Sequence, residues 1–366
     1  MSASAGLIEN QRIVLAAKPQ GMPSESDFAL VRGPVPHPGA GDVVVRCLWL
    51  SVDPYMRGLI DGVYPYVKQV LIGDTMRGGG VGRVVASNDP EFGVGDLVEG
   101  YLGWQLYSVL PGSELRQVNP ALGPPSTAVG VLGMPGMTAY FGMTEIGEPK
   151  AGQTVVVSAA AGAVGSAAGQ IARIRGCRVV GIAGSAEKVR HVVEDLGFDA
   201  CIDYRAEPDL LAALRRHCPE RINVYFDNVG GSIYDAVTSW MALDARIVIC
   251  GSISEYNAQG LELGPRRLKQ FEMWRARQQG FRVRDYAARY PEGIAVMAQW
   301  LTEGRLRYRE TVSQGLASAP SAFIGLLQGR NVGKQLVKLA QDTSRVSRDD
   351  ALGTTRRTPC KSEDVS

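Results

Sequence analysis

Histidine is scarce in this 366-residue chain: there are three, His37, His191 and His217. None stands at ligand spacing from a Cys or Glu, and the six cysteines (Cys47, Cys177, Cys201, Cys218, Cys250, Cys360) include no CxxC pair. No zinc finger, four-cysteine loop or catalytic zinc set is therefore expected. Scattered, unpaired cysteines suit a cytoplasmic protein. No apolar run approaches the roughly 18 residues of a membrane span. The opening MSASAGLIENQRIVL lacks the apolar stretch of a secretory signal. There is no excess of one charge either, with 39 Lys and Arg against 37 Asp and Glu. A net charge of +2 gives no broad field for nucleic acid or membrane. No G-x-S-x-G elbow is present, so a Ser-His-Asp hydrolase is not supported.

What is present is ordinary globular composition, 45% hydrophobic and 21% charged, in a chain long enough for two domains. Residues 1–133 hold short β-type runs such as Asp42–Leu50 and Gly80–Ala86, broken by Gly and Pro. That reads as a compact, mainly β unit. From residue 134 the pattern changes. Met137–Ile146 predicts a helix. Strands then follow at Thr154–Val157, Cys177–Ala183, Ala200–Asp203, Ile222–Asp227 and Ala245–Cys250. Helices over Ala163–Arg175, Ala186–Leu196, Pro208–Cys218 and Ser232–Ala242 fill the gaps. Such a βαβ series predicts a parallel, doubly wound sheet. Leu336–Leu339 predicts a strand returning to the first unit, and the polar stretch 342–366 predicts a disordered tail.

The stretch SAAAGAVGSAAGQ, residues 158–170, holds A-x-G-x-x-G between a strand and a helix. Gly162 allows a backbone approach to a pyrophosphate, Gly165 allows close helix–strand packing, and the helix start offers free N–H groups. Ala160 replaces the usual first glycine, so its turn must avoid positive φ. About 20 residues on, an NAD site carries an acid at the end of the second strand. Here that strand ends Gly181-Ile182-Ala183-Gly184-Ser185, with Lys188 and Arg190 just beyond. A neutral strand end flanked by cations suits a 2′-phosphate, so the expected cofactor is NADPH. Both cations could instead be solvated helix residues. Without a metal, hydride transfer to the β-carbon of an enone is easier than carbonyl reduction. It needs only positioning and hydrogen bonds to the developing enolate oxygen.

Several segments together resemble the zinc-independent medium-chain dehydrogenases/reductases of the prostaglandin reductase, alkenal double-bond reductase and curcumin-reductase type. They are Ser51–Gly58, Gly133–Tyr140, Ala159–Ser166, Gly184–Lys188, Tyr225–Gly231, Cys250–Asn257 and Asn331–Gln335. The resemblance implies a Rossmann domain over 134–301 inserted in a GroES-like, mainly β catalytic domain over 1–133 and 302–341. It implies NADPH-dependent reduction of the C=C bond of α,β-unsaturated ketones or aldehydes, and a homodimer. By position it implies cofactor contacts at Ala161, Gly162, Ala163, Val164, Gly165, Lys188, Tyr204 and Asn228. Further contacts are implied at Cys250, Gly251, Ser252, Ile253, Ser254, Tyr256, Phe281, Arg282, Val283 and Asn331. Tyr55 and Tyr256 fall near the substrate, Tyr256 as the residue polarising the carbonyl. Gly78-Gly79-Gly80 stands where the family often has bulkier residues, which predicts a wider pocket or a more mobile loop.

A quinone reductase also needs no zinc and remains an alternative. A nucleotide-binding protein with an RNA or protein partner is a third reading, resting on the basic segment around Arg266, Arg267, Lys269, Arg275, Arg277, Arg282 and Arg284. A solvated helix face also explains those charges, and the near-neutral net charge favours it.

Overall fold

The computed structural model describes residues 9–260 and 262–341. The tail expected to be disordered, 342–366, lies outside them. The chain opens with an antiparallel pair, β1 (Glu9–Leu15) and β2 (Phe28–Pro34). Antiparallel strands follow: β3 (Asp42–Ser51), β4 (Gly80–Ser87), β5 (Leu97–Gly100), β6 (Tyr107–Pro111) and β7 (Leu115–Gln117). β3 is the spine because Val43, Val44, Val45, Cys47, Leu48 and Leu50 are buried on both of its faces. After it, Ser51-Val52-Asp53-Pro54-Tyr55 turns into the short helix α1 (Met56–Asp61), which ends at Gly62 with φ +72°.

The triple glycine does not widen a pocket. A Cβ on Gly78 would meet Met56 Cε at 2.6 Å, and one on Gly80 would meet the Trp49 carbonyl oxygen at 3.0 Å. Gly78 admits the buried Met56 and Trp104 side chains and Gly80 admits Leu102, and none of the three glycines lines the cavity described below.

Helix α2 (Met134–Phe141) widens into a π turn over Gly142–Gly147. Six parallel strands then form the second sheet. They are β8 (Thr154–Ser158), β9 (Arg178–Ala183), β10 (Ala200–Asp203), β11 (Ile222–Asp227), β12 (Met241–Ile249) and β13 (Arg277–Gly280). Their order is β10-β9-β8-β11-β12-β13, the doubly wound arrangement. β8 is buried at every position, as a central parallel strand must be. The crossovers carry α3 (Ala163–Ile174), α4 (Ala186–Arg190), α5 (Leu210–His217), α6 (Gly231–Thr238) and α7 (Leu268–Trp274).

One sequence expectation needs correction here, and one strand was missed. The helix expected to reach Ala242 stops at Thr238. Thr238 Oγ and Ser239 Oγ donate to the carbonyls of Tyr234 and Asp235, closing its end, and Met241 already pairs with Ile222. β13 was not foreseen at all. Arg277-Gln278-Gln279-Gly280 has no apolar residue, and all four are exposed on an edge, so the usual strand signal is absent.

After α8 (Tyr290–Thr302) the chain returns to the first sheet as β14 (Glu310–Gln314), α9 (Ala319–Leu327) and β15 (Lys334–Lys338). β15 pairs antiparallel with β3, as the apolar run there predicted. Phe323 of α9 packs edge-on against Phe28 and Trp104, so the returning segment completes the first core. No helix among the described residues is long and apolar enough to cross a membrane.

Candidate active site

One cavity of about 860 Å³ runs between the two sheets, over the C-terminal ends of β8, β9, β11 and β12. Ligands of open α/β sheets bind at this edge. Its first wall is the turn from β8 into α3. Gly165 is required there because a Cβ would lie 2.4 Å from the carbonyl oxygen of Ala159. A Cβ on Gly162 would meet only that same oxygen, at 3.2 Å, so this residue keeps one side of the turn open. Ala160 avoids positive φ as expected, but the left-handed conformation moves back to Ala159, at φ +49°. The turn is held from the far side too, where Gly333 N–H donates to the Ala161 carbonyl at 2.7 Å. Asn331 is buried beside it, its Nδ2 donating to the Gly333 carbonyl at 2.7 Å.

At the end of β9 the cavity meets cations. Ser185 Oγ accepts the Lys188 N–H at 3.3 Å and caps the next turn. Lys188 Nζ donates to the Gly329 carbonyl at 2.6 Å. Arg205, which the sequence reading missed, donates to the Tyr204 hydroxyl at 3.3 Å. Burial, and then the Arg205 charge, lower the Lys188 pKa from the ordinary lysine value. Neither cation forms a salt bridge with a carboxylate among the described residues: Glu187, whose charge reaches Lys188, is bridged to Arg309 at 3.2 Å. A Cβ on Gly184 would lie 2.8 Å from the Tyr204 ring, so glycine lets that ring close against the strand end. Arg190 does not line the cavity.

The turn after β11 is organised by Asp227, also missed from sequence. One of its carboxylate oxygens accepts from Ser158 Oγ, the Tyr225 hydroxyl and the backbone N–H groups of Val229 and Gly230. Its backbone carbonyl accepts from Cys250 and Gly251, placing the loop after β12. Asn228 Nδ2 donates to the Ser158 carbonyl at 2.7 Å, which fixes its amide at the cavity wall. Ser254 Oγ donates to the Val229 carbonyl at 2.6 Å.

Eighteen of the expected residues meet on this cavity: Tyr55, Ala161–Gly165, Lys188, Tyr204, Asn228, Cys250, Gly251, Ile253, Ser254, Tyr256, Phe281, Arg282, Val283 and Asn331. Ser252 does not; its side chain packs where a Cβ on Gly230 would be, 3.2 Å away.

The other end of the cavity is walled by Tyr55, Tyr64, Tyr66, Tyr101 and Tyr256. A Cβ on Gly251 would lie 3.1 Å from the Tyr256 hydroxyl, so glycine lets that hydroxyl reach the backbone. Burial first, and the neighbouring Tyr64, hold the Tyr256 proton well above the ordinary tyrosine range. Tyr55 is raised likewise by burial and by Tyr101. Behind Tyr55, buried Lys334 donates from Nζ to Asp53 at 2.9 Å and to the carbonyls of Val52 and Gln335. Among the described residues no three His, Cys, Asp or Glu side chains gather as metal ligands.

Much of the basic segment around Arg266–Arg284 is engaged locally. Arg267 bonds the Asp235 carbonyl, Arg275 chelates Asp244, and Arg282 chelates Asp285.

A doubly wound parallel sheet joined to a mainly β lobe across one cavity defines the two-lobed medium-chain dehydrogenase/reductase class. Residues 11–118 match a family model described as the N-terminal domain of oxidoreductase, and residues 163–299 match one described as zinc-binding dehydrogenase. The chain is 46% identical over 338 residues to the NADPH-dependent curcumin reductase of Escherichia coli, covering 91% of this chain and 98% of that protein. It is 43% identical over 341 residues to the NADP(+)-dependent 2-alkenal reductase of Nicotiana tabacum, covering 92% and 99%. The crystal structure of CurA from Vibrio vulnificus in complex with NADPH superposes with a TM-score of 0.86 at 46% identity, over 90% of this chain and 99% of that one. The chain belongs to the zinc-independent reductases of the medium-chain dehydrogenase/reductase family.

Proposed function

We infer that this chain is an NADPH-dependent oxidoreductase that reduces the C=C bond of α,β-unsaturated ketones or aldehydes. The observation that carries the reading is one cavity joining Lys188 and Arg205, neither in a salt bridge among the described residues, to a tyrosine-walled end. Its relatives' named activities, on curcumin and 2-alkenals with NADP(H), agree with that division.

The residues fit the cofactor. The α3 N-terminus and the open face at Gly162 suit a pyrophosphate, and Lys188 with Arg205 suits a 2′-phosphate. Residues 161–165, 228, 250–256, 281–283 and 331 are assigned to the rest of it. Within 250–256, Ser252 shapes the loop rather than facing the ligand. NADPH, when bound, supplies the hydride that the substrate β-carbon accepts. Tyr256 keeps its proton and donates a hydrogen bond to the carbonyl oxygen, where negative charge grows as the C=C bond is reduced. Tyr55 forms the facing wall. A proton from solvent, direct or relayed through a hydroxyl, then reaches the α-carbon, giving the saturated carbonyl compound.

The catalytic unit is assigned to 1–133 and 302–341 and the nucleotide unit to 134–301, because β14 and β15 belong to the first sheet. A homodimer is proposed through β13, the open and fully exposed edge of the parallel sheet, with exposed Leu268 and Met273 on the preceding α7. A cytoplasmic location is proposed from the five described cysteines, all free. The test is NADPH oxidation followed at its absorbance band with a panel of enals and enones. Absence of turnover in protein that binds NADPH would overturn the reading.

A further inference from the structure

Four arginines line the cavity: Arg77, Arg205, Arg282 and Arg284. Arg205 stands beside Lys188 at the cofactor end. Arg282 is committed, since it chelates Asp285 and lies 4.6 Å over the Tyr66 ring. Arg77 and Arg284 are different. The hydrogen bond of the Arg77 side chain goes to the Lys68 carbonyl, at 3.3 Å. Arg284 lies 5.2 Å over the Tyr101 ring, with no hydrogen bond of its own among the described residues. Neither forms a salt bridge with a carboxylate among the described residues.

The two cations flank one feature. The Tyr55 and Tyr101 hydroxyls are neighbours, the Arg77 charge is felt at Tyr55, and Arg284 covers Tyr101. The carboxylates nearby are already taken: Asp53 by Lys334 at 2.9 Å, Glu99 by Arg116 at 3.2 Å, and Asp285 by Arg282. Two cations without a salt bridge therefore face a cavity end lined also by phenol rings, the apolar Met22, Leu59 and Val67, and the already paired Asp53, Lys334 and Arg282. A neutral enal leaves both guanidinium groups unused. A carboxylate held away from the conjugated carbonyl would use them, because the planar guanidinium fork matches carboxylate geometry.

We propose that Arg77 and Arg284 form a subsite for a carboxylate at the end of the substrate remote from the enone, so that enone and enal acids are the preferred substrates. The proposal rests on the reductase reading and deepens it. Arg284 is exposed at the cavity mouth and Arg77 lies deeper, half-buried, which also suits capture of an anion from solution.

The test compares a medium-chain 2-enal carrying a terminal carboxylate with its methyl ester. The wild type should favour the acid in kcat/KM by roughly tenfold, about the worth of one charge-assisted hydrogen bond, and added salt should shrink the preference. Arg77→Gln and Arg284→Gln should each lower the acid-to-ester ratio, and the double variant should abolish it. Arg77→Lys should keep part of it. A merely structural role would slow both substrates alike and leave the ratio standing. A wild-type ratio near one, or a ratio unchanged in the double variant, overturns the subsite. Calorimetric binding of the saturated acid and its ester, with NADPH present, reads the same ratio without turnover. Acid selectivity without turnover would thus condemn the reductase reading alone, while ester turnover without acid selectivity would condemn the subsite alone.

Discussion

Replacing Lys188 with Glu should convert cofactor preference, and the size of the effect follows from the site. Lys188 Nζ sits on the Gly329 carbonyl with Arg205 as its only charged companion on the cavity wall there, and burial already depresses its pKa. A 2′-phosphate would gain a charge-assisted hydrogen bond from the lysine, worth about 1.5–3 kcal/mol. Loss of that bond is roughly a ten- to hundredfold change. Glutamate adds repulsion of the phosphate, so the KM for NADPH should rise about a hundredfold or more, with Arg205 retaining part of the binding. NADH has no phosphate there, and its KM should change about threefold or less. The assay is steady-state kinetics with both cofactors at saturating enal. Arg190→Glu is the control, since that residue lies two positions on in the same helix but off the cavity. Alkaline pH offers a second view. The lowered pKa means that Lys188 loses its charge earlier than an ordinary lysine as pH rises. The preference for NADPH should therefore decline with rising pH in the wild type, and decline less in the variant. An NADPH-to-NADH ratio left unchanged by Lys188→Glu would refute the assignment.

Three further outcomes are expected. Tyr256→Phe should lower kcat by roughly ten- to a hundredfold, with little change in NADPH KM, the loss of one hydrogen bond to a developing oxyanion. Because burial keeps the Tyr256 proton in place, the wild-type kcat should show no loss from its ionisation up to about pH 10, the ordinary tyrosine value. Gly165→Ala forces a Cβ onto the Ala159 carbonyl. It should cost about 1–3 kcal/mol of stability, measured by denaturant unfolding, and weaken NADPH binding in titration. Asp53→Asn leaves the buried Lys334 ammonium without its counter-charge, which should cost about 3–5 kcal/mol and lower Tm, whereas a paired Asp53→Leu, Lys334→Met change should recover much of the loss.

The nucleotide half was legible because its signals are local. Val155-Val156-Val157 is buried throughout, Gly165 is required by a contact within its own turn, and the neutral end of β9 leads straight to Lys188. Features that depend on contacts distant in sequence were not legible. Arg205 follows the next strand and meets Lys188 only in space. Lys334 reaches Asp53 across 281 positions. The glycines at 78–80 looked like freedom, yet Gly78 and Gly80 answer to the bulk of Met56, Leu102 and Trp104. β13 carried no pattern because an exposed edge needs none. Tyr64 and Tyr101 stand in irregular segments without periodicity, so nothing in the sequence placed them beside Tyr256 and Tyr55.

The central claim is reduction of the C=C bond rather than of the carbonyl or a quinone. Incubation of the protein with NADPH and a medium-chain 2-alkenal, with the product resolved by gas chromatography, tests it most directly. The saturated aldehyde, formed in step with NADPH oxidation, is the predicted result. An allylic alcohol, or hydroquinone from a quinone while alkenals stay untouched, would contradict it.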